Sequence, residues 1–599
     1  MIGYINGKKV EFNADDTVLN VAKKTGHFIP TLCEMADIRH VPGACRVCLV
    51  DIKRKNDSHH QIVTSCTTPM EEGMSVLTRT SAVRAKQRLQ VEMLLADHNQ
   101  DCATCIRHGN CELQDVAQFV GLQKTRYHYP HFYLERTQDS SSTAIERDMS
   151  KCIRCFRCVT VCREIQGADV LVIKEKGLAT EISVRDQLPL GDSDCVSCGQ
   201  CILVCPVGAL AEKDDTEKVI DYLYDPEVVT VFQFAPALRV ALGEEFHMPP
   251  GANVEGQIIT GLKNLGADVV LDTNFTADLV IMEEGTELLS RLRENGCLPM
   301  FTSCCPGWVN YAEKNYPELR PHISTTRSPQ QCFGVIAKTY LAEKMNVDQK
   351  RMRVISIMPC TAKKEEAQRP EFIQDGIPDV DVVLTTREFA RLLKREGTKL
   401  PELEPSAFDN IYMGEYTGAA AIFGTTGGVM EAALRTVHKK ITGLELGPIE
   451  MEAVRGLEHV REATIDMGEG NPTVRVAVAH SLKGARQVVE AVQNGEADYH
   501  FVEVMACPGG CMGGGGQPRS KHAYQSSWQA RQAALYNIDR EAPVRQSHNN
   551  PLIIKLYDDF LGKPYSHKSH DLLHTSYRDR KRIVQHTMKK IWEEIEERE

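Results

Sequence analysis

Fifteen of the 22 cysteines in this 599-residue chain fall before Pro206, in four groups at short fixed spacings, and seven follow. Scattered thiols are readily absorbed as small core residues. Repeated short spacings ask instead for a common ligand. The opening MIGYINGKKVEFNADD lacks the apolar stretch of a signal peptide. That absence predicts a cytoplasmic protein whose cysteines serve metal or redox chemistry and not disulfides. The length predicts several domains. The net charge of −11 offers no basic face for nucleic acid, and no run of 18 apolar residues suggests a membrane span.

The first group follows an Asn-Gly hairpin, GYINGKKVEF, and a helical stretch, TVLNVAKKTG. Cys33, Cys45, Cys48 and Cys66 have the spacing C-x11-C-x2-C-x17-C. Four thiolates with one close pair suit a 2Fe–2S cluster, with zinc as the other reading. Next, His98, Cys102, Cys105 and Cys111 form H-x3-C-x2-C-x5-C. A cluster with one imidazole ligand and a zinc site are both allowed by this set, and His108 competes with His98 as the nitrogen donor. Two runs of C-x2-C-x2-C-x3-C then follow, Cys152, Cys155, Cys158, Cys162 and Cys195, Cys198, Cys201, Cys205. This is the two-cluster ferredoxin pattern, in which each fourth cysteine ligates the other cluster. It predicts one 4Fe–4S site at Cys152, Cys155, Cys158 and Cys205, and another at Cys195, Cys198, Cys201 and Cys162. Cys162 precedes Arg163 where the pattern has proline.

After Asp225-Pro226 the rhythm becomes strand, turn, helix, which predicts an α/β domain with functional residues just past strand ends. The late cysteines sit in FTSCCPGW, MPCTAKK and VMACPGGCMGGGGQP. The first two motifs place cysteine at a helix start, where thiolate is favoured. The glycine run Gly513 to Gly516 is expected to let backbone approach a bulky inorganic group. Cys305, Cys360, Cys507 and Cys511 make a candidate fifth cluster site, although spacing alone does not choose Cys305 over Cys304.

These motifs, with MGEYTGAAAIFGTTGGVMEAALR, closely resemble the catalytic domain of FeFe-hydrogenases from about Val228 to about Tyr565. The amino-terminal third is similar to the cluster-bearing part of the larger members and of the complex I peripheral subunit. The resemblance implies an H-cluster: a 4Fe–4S cubane on Cys305, Cys360, Cys507 and Cys511, sharing the Cys511 sulfur with a two-iron unit that carries carbon monoxide, cyanide and a dithiolate amine. It implies heterolytic H2 oxidation with Cys304 as proton relay, and Glu284, Ser324, Glu287 and Arg291 as the onward path. Without the resemblance, the two glutamates read as one solvated helical face. Lys363 matches the donor to one cyanide. The serine that meets the other cyanide in many relatives is replaced in Ala235-Pro236-Ala237. Met358 and Met505 match the apolar lining. Cys297 and Cys332 are left over and read as core residues.

The expected architecture is α+β and multidomain: a β-grasp 2Fe–2S domain (1–79), a 4Fe–4S segment with one histidine and three cysteine ligands (80–120), a double 4Fe–4S ferredoxin domain (140–212), the catalytic domain (226–565) and a helical tail (566–599). Relatives of this kind join a flavin- and NAD(P)-binding subunit and a small 2Fe–2S subunit, some bifurcating electrons through ferredoxin. A stand-alone ferredoxin-linked hydrogenase and a non-catalytic electron-transfer or cluster-assembly protein are the alternatives. No glycine-rich nucleotide motif follows a strand, which places NAD(P) and flavin on partners. In the tail, Val584, Met588, Ile591, Trp592 and Ile595 share one helical stripe, for docking on the chain itself or on a partner.

Overall fold

The computed structural model describes residues 1–127, 136–294, 296–409, 412–446, 455, 459–468, 473–521 and 523–581. The stripe from Val584 to Ile595 lies outside these residues.

The Asn6-Gly7 turn, with both residues at positive φ, closes the strands Ile2–Ile5 and Lys8–Glu11 into a hairpin. Ile2–Ile5 also pairs in parallel with Ser75–Leu77, and Leu49–Lys53 and Gln61–Thr64 complete a five-stranded sheet. The predicted helix covers Val18–Lys24, its first turn capped by Thr17. A second Thr cap, Thr80, starts the helix Ser81–Ala96 that delivers the chain to His98.

The two-cluster segment repeats its own local geometry. In the first cysteine run Arg154 and Phe156 have φ of 54° and 64°; in the second, Ser197 and Gly199 have 59° and 69°. These left-handed residues turn amides back onto sulfur: Arg154 N and Ser197 N each stand 3.4 Å from the Sγ two residues earlier. A short helix then carries the third cysteine of each run, Arg157–Thr160 with Cys158 and Gln200–Val204 with Cys201.

The remaining chain builds two four-stranded sheets. One is all parallel, in the order Val269–Asp272, Val229–Phe234, Met352–Met358, Val382–Thr385. The other runs Met300–Phe301, Phe501–Met505, Val474–His480, Val460–Ile465, with only the last pair antiparallel. Strands buried on both faces read as continuous apolar runs, as VVTVFQF and RVISIM do. The helix Thr273–Arg293 carries a largely buried face past both sheets, its N-terminus capped by Asp272. The chain from 573 to 580 then straps back over the catalytic half, with Thr575 N bonded to the Thr325 carbonyl and Arg580 N to that of Glu313. Among the described residues no helix is long and apolar enough to cross a membrane.

One expectation fails. Cys332 is fully buried, but Cys297 is exposed. It lies in the turn between Thr273–Arg293 and Met300–Phe301, and its carbonyl accepts from Arg291 at 3.1 Å.

Candidate active site

Each late cysteine follows a parallel strand, where such sheets place ligands. Cys304 and Cys305 follow Met300–Phe301, Cys360 follows Met352–Met358, and Cys507 and Cys511 follow Phe501–Met505. All five line one buried cavity of about 80 Å³ together with Ala235, Pro236, Met358, Lys363 and Met505. A single buried water occupies roughly 10–15 Å³ on this measure, so the space is far larger than a packing defect. Ala237 is not in its wall; it is buried, and its carbonyl accepts from Gln517.

The two adjacent cysteines part company. Cys305 caps the helix Pro306–Asn315, and its Sγ accepts from Ala506 N at 3.3 Å. Cys304 is buried toward Glu284; burial, then that carboxyl, pushes its thiol well above the usual range. Glu284 is fully buried, and among the described residues neither of its oxygens is hydrogen-bonded, although Ser324 and the Ser303 amide lie near. Burial first, then Glu287, pushes it up to about 8. Ser324 Oγ donates to Glu287 Oε2 at 2.8 Å, and Glu287 Oε1 takes Arg291 at 2.6 Å. Arg291, 13% exposed, brings this line to the surface. Ser324 is further fixed by Tyr577 of the strap, whose hydroxyl donates to its carbonyl at 2.5 Å.

Lys363 Nζ reaches the Cys304 carbonyl at 3.2 Å and Glu366 at 2.8 Å, so a cation is fixed at the cavity wall. Burial opposes that charge and Glu366 outweighs it. Glu366 also takes Ser328 and Gln330, and Gln330 Oε1, on a residue of the cavity wall, has no hydrogen-bond partner among the described residues. Motif reading missed Glu366, Gln330 and Tyr577. Glu366 had one signal, its place three residues after Lys363 on a helix; Tyr577 had none.

The glycine run acts differently from expectation. Gly510 and Gly514 line the cavity, but the room left by missing side chains is mostly filled by backbone. A Cβ on Gly514 would strike the Pro359 carbonyl, and one on Gly515 the Cys198 carbonyl and Gly199. The run locks the ferredoxin-like segment to the catalytic half.

The other cysteines also gather. Cys48 and Cys66 sulfurs are 3.3 Å apart and Cys33 pairs with Cys45, whose pKa this bond pulls down to about 6. Cys155, Cys152, Cys205 and Cys201 lie around Cys158, and Cys195, Cys162 and Cys205 lie around Cys201, so each fourth cysteine stands near the other run. His98 is buried, held neutral at about 4 by burial and then by Lys151, with Nδ1 unpartnered, whereas His108 is exposed. Cys507 has Cys198 among its neighbours, which sets the last ferredoxin-like site against the cavity.

Comparison with known proteins agrees with this arrangement. Residues 228–515 match the family described as iron only hydrogenase large subunit, C-terminal domain, and 525–580 match the iron hydrogenase small subunit. Residues 3–81 match a 2Fe-2S iron-sulfur cluster binding domain, 87–126 an NADH-ubiquinone oxidoreductase-G iron-sulfur binding region, and 133–209 a 4Fe-4S dicluster domain. The NADP-reducing hydrogenase subunit HndD of Solidesulfovibrio fructosivorans is 43% identical over 97% of this chain and 99% of its own. Iron hydrogenase 1 of Clostridium pasteurianum is 39% identical over 96% and 99%. The solved apo [FeFe]-hydrogenase HydA1 from Chlamydomonas reinhardtii has 42% identity, a TM-score of 0.56, and covers 62% of this chain and 100% of its own. The strap is thus small-subunit sequence carried in the same polypeptide, a relationship that its cysteine-free stretch did not betray. With iron–sulfur domains ahead of a catalytic domain of this kind, the chain belongs to the FeFe-hydrogenase family and is an oxidoreductase acting on hydrogen.

Proposed function

We propose that this chain is the hydrogen-oxidising subunit of an NAD(P)-linked complex, and that it carries one 2Fe–2S cluster, three accessory 4Fe–4S clusters and an H-cluster. The observation that carries the reading is the cavity where five cysteines meet a fixed lysine, with a line of carboxyls leading out. The residues present fit the group: apolar walls exclude water, Lys363 offers a cation to an anionic ligand, and Gln330 leaves a polar atom unpaired at the wall. Cys305, Cys360, Cys507 and Cys511 would hold it. When bound, it would supply the metal centre at which H2 is split into protons and electrons.

The chain's own residues then manage the products. Cys304, a neutral thiol, passes the proton to Glu284; Ser324 and Glu287 carry it toward Arg291 and solvent. Both directions need proton transfer over hydrogen-bond distance, so Glu284 must reorient toward Ser324 to close the line. Cys195, Cys198, Cys201 and Cys162, with Cys198 beside Cys507, would hold the cluster that takes electrons from the cavity. Clusters on Cys152, Cys155, Cys158 and Cys205, on His98, Cys102, Cys105 and Cys111, and on Cys33, Cys45, Cys48 and Cys66 would carry them outward. The NADP-reducing relative and the likeness of 87–126 to a complex I segment support a flavin- and NAD(P)-binding partner subunit in the cytoplasm, with a small 2Fe–2S subunit beside it.

The test is H2-dependent NAD(P)+ reduction by the complex purified anaerobically from its own host, with and without oxidised ferredoxin. Reduction without ferredoxin is the expected result. A requirement for ferredoxin identifies a bifurcating assembly. Reduction of ferredoxin alone removes the pyridine-nucleotide partner.

A further inference from the structure

Four arginines converge between the segment that carries His98, the first ferredoxin-like site and the catalytic half. Glu212, fully buried, takes Arg387 and Arg391 at 2.6 Å each and Arg519 at 3.5 Å. Arg391 is 30% exposed and shares its charge with water and Asp214. Arg387 and Arg519 are sealed, their side chains 5% and 6% exposed. A third sealed guanidinium, Arg107, is 3% exposed. Among the described residues, Nε and Nη1 of Arg107 and Nε of Arg519 have no hydrogen-bond partner.

Arg107 and Arg519 are charged neighbours of each other. Arg519 also neighbours Cys205, and Arg107 neighbours Cys111. A Cβ added at Gly208 would meet the Cys105 sulfur, the Lys151 side chain and the Arg107 side chain, so these three stand close together. Arg387 and Arg519 thus share the Glu212 carboxylate with Arg391, and among the described residues no carboxylate pairs with Arg107. Arginine keeps its proton in proteins, and a buried charge is tolerated only when paired. An anion is therefore missing from the protein groups alone. Thiolate-bound iron–sulfur clusters are anions, more negative by one charge when reduced, and donors near their sulfurs help set their potentials.

We propose that Arg107 and Arg519 are the counter-ions of the clusters at His98, Cys102, Cys105, Cys111 and at Cys152, Cys155, Cys158, Cys205, and that they raise both reduction potentials. They are positioning residues, and the inference rests on the ligand sets proposed above. Reduction adds negative charge where two guanidiniums already stand with spare N–H groups, so the reduced state gains more than the oxidised one. The junction becomes a place where electrons are held between the catalytic site and the amino-terminal domains.

The test is a redox titration of the anaerobically prepared holoprotein, followed by electron paramagnetic resonance, with iron content measured in parallel. Arg519→Gln and Arg107→Gln are each expected to lower the potential of one or both of these 4Fe–4S signals by at least tenfold in the reduced-to-oxidised ratio, about 59 mV. Arg519→Lys, which keeps the charge, stays close to wild type, and the 2Fe–2S signal does not move. Full iron content with unchanged 4Fe–4S potentials in both glutamine variants overturns the proposal. If both glutamine variants lose iron, Arg519→Lys decides: retained iron supports the counter-ion role, and loss overturns it. Missing 4Fe–4S signals in the wild type would instead refute the ligand sets.

Discussion

As the proposed proton relay, Cys304 suits the cavity wall because a thiol stays neutral there. Burial and the nearby Glu284 carboxyl hold it protonated, where a carboxylate would be an unpaired buried charge. Cys304→Ala should retain all iron and lose about 10²–10⁴ of its turnover, measured as H2 evolution against iron content; near-wild-type rates would remove the thiol from the proton line. Glu284, held up at about 8, is protonated below that pH and anionic above it. Hydrogen evolution needs it as a donor, so that direction should fall as pH rises through about 8, while hydrogen uptake, which needs an acceptor, is maintained. Rates in both directions on either side of this pH check the sign. The same shift makes burial of this carboxyl increasingly costly from the ordinary carboxyl range up to about 8. At this scale the sequence told which thiols gather better than it told their surroundings. Cysteine spacings anticipated the groups, but Cys304 and Cys305 are told apart only by the fold, through the Ala506 amide and Glu284. Nothing in the sequence marks Arg107 and Arg519, because what buries them comes from distant segments.

Among the elements, the strand–turn–helix rhythm was legible because strands covered on both faces are apolar throughout. Pairing was not: nothing in VVTVFQF says that Val229–Phe234 lies between Val269–Asp272 and Met352–Met358. The glycine run was legible as close approach but not as to what it approaches. Gly515→Ala would drive a methyl group into the Cys198 carbonyl and Gly199, both backbone and unable to give way easily. The expected loss is about 1–3 kcal/mol, read as a lowered thermal midpoint of the holoprotein and faster proteolysis between the ferredoxin-like and catalytic parts. An unchanged midpoint and cleavage pattern would mean that this contact is soft.

Across the whole molecule, one side chain ties three cluster-bearing segments. Arg157, fully buried between Cys155 and Cys158 in sequence, donates to Glu112 beside Cys111 and to the carbonyls of Cys33 and Glu34. His40 adds a second tie, its Nε2 2.7 Å from the Cys155 carbonyl. Arg157→Leu takes away the guanidinium that the buried Glu112 carboxylate and the Cys33 and Glu34 carbonyls share, and breaking a buried ion pair costs about 3–5 kcal/mol. Limited proteolysis should then release the amino-terminal domain, and adding Glu112→Leu should recover part of the loss. Equal protection of the single variant and wild type would show that the tie carries little. The distribution of the cysteines along the chain also sets a timetable. Those of the amino-terminal domain are complete once Cys66 has been made, whereas those of the cavity come from three distant segments and are complete only at Cys511. Domains fold as units, amino-terminal first during synthesis. A ribosome therefore releases the amino-terminal cysteines before those of the cavity, and no polypeptide that stops short of Cys511 can present the full cavity set.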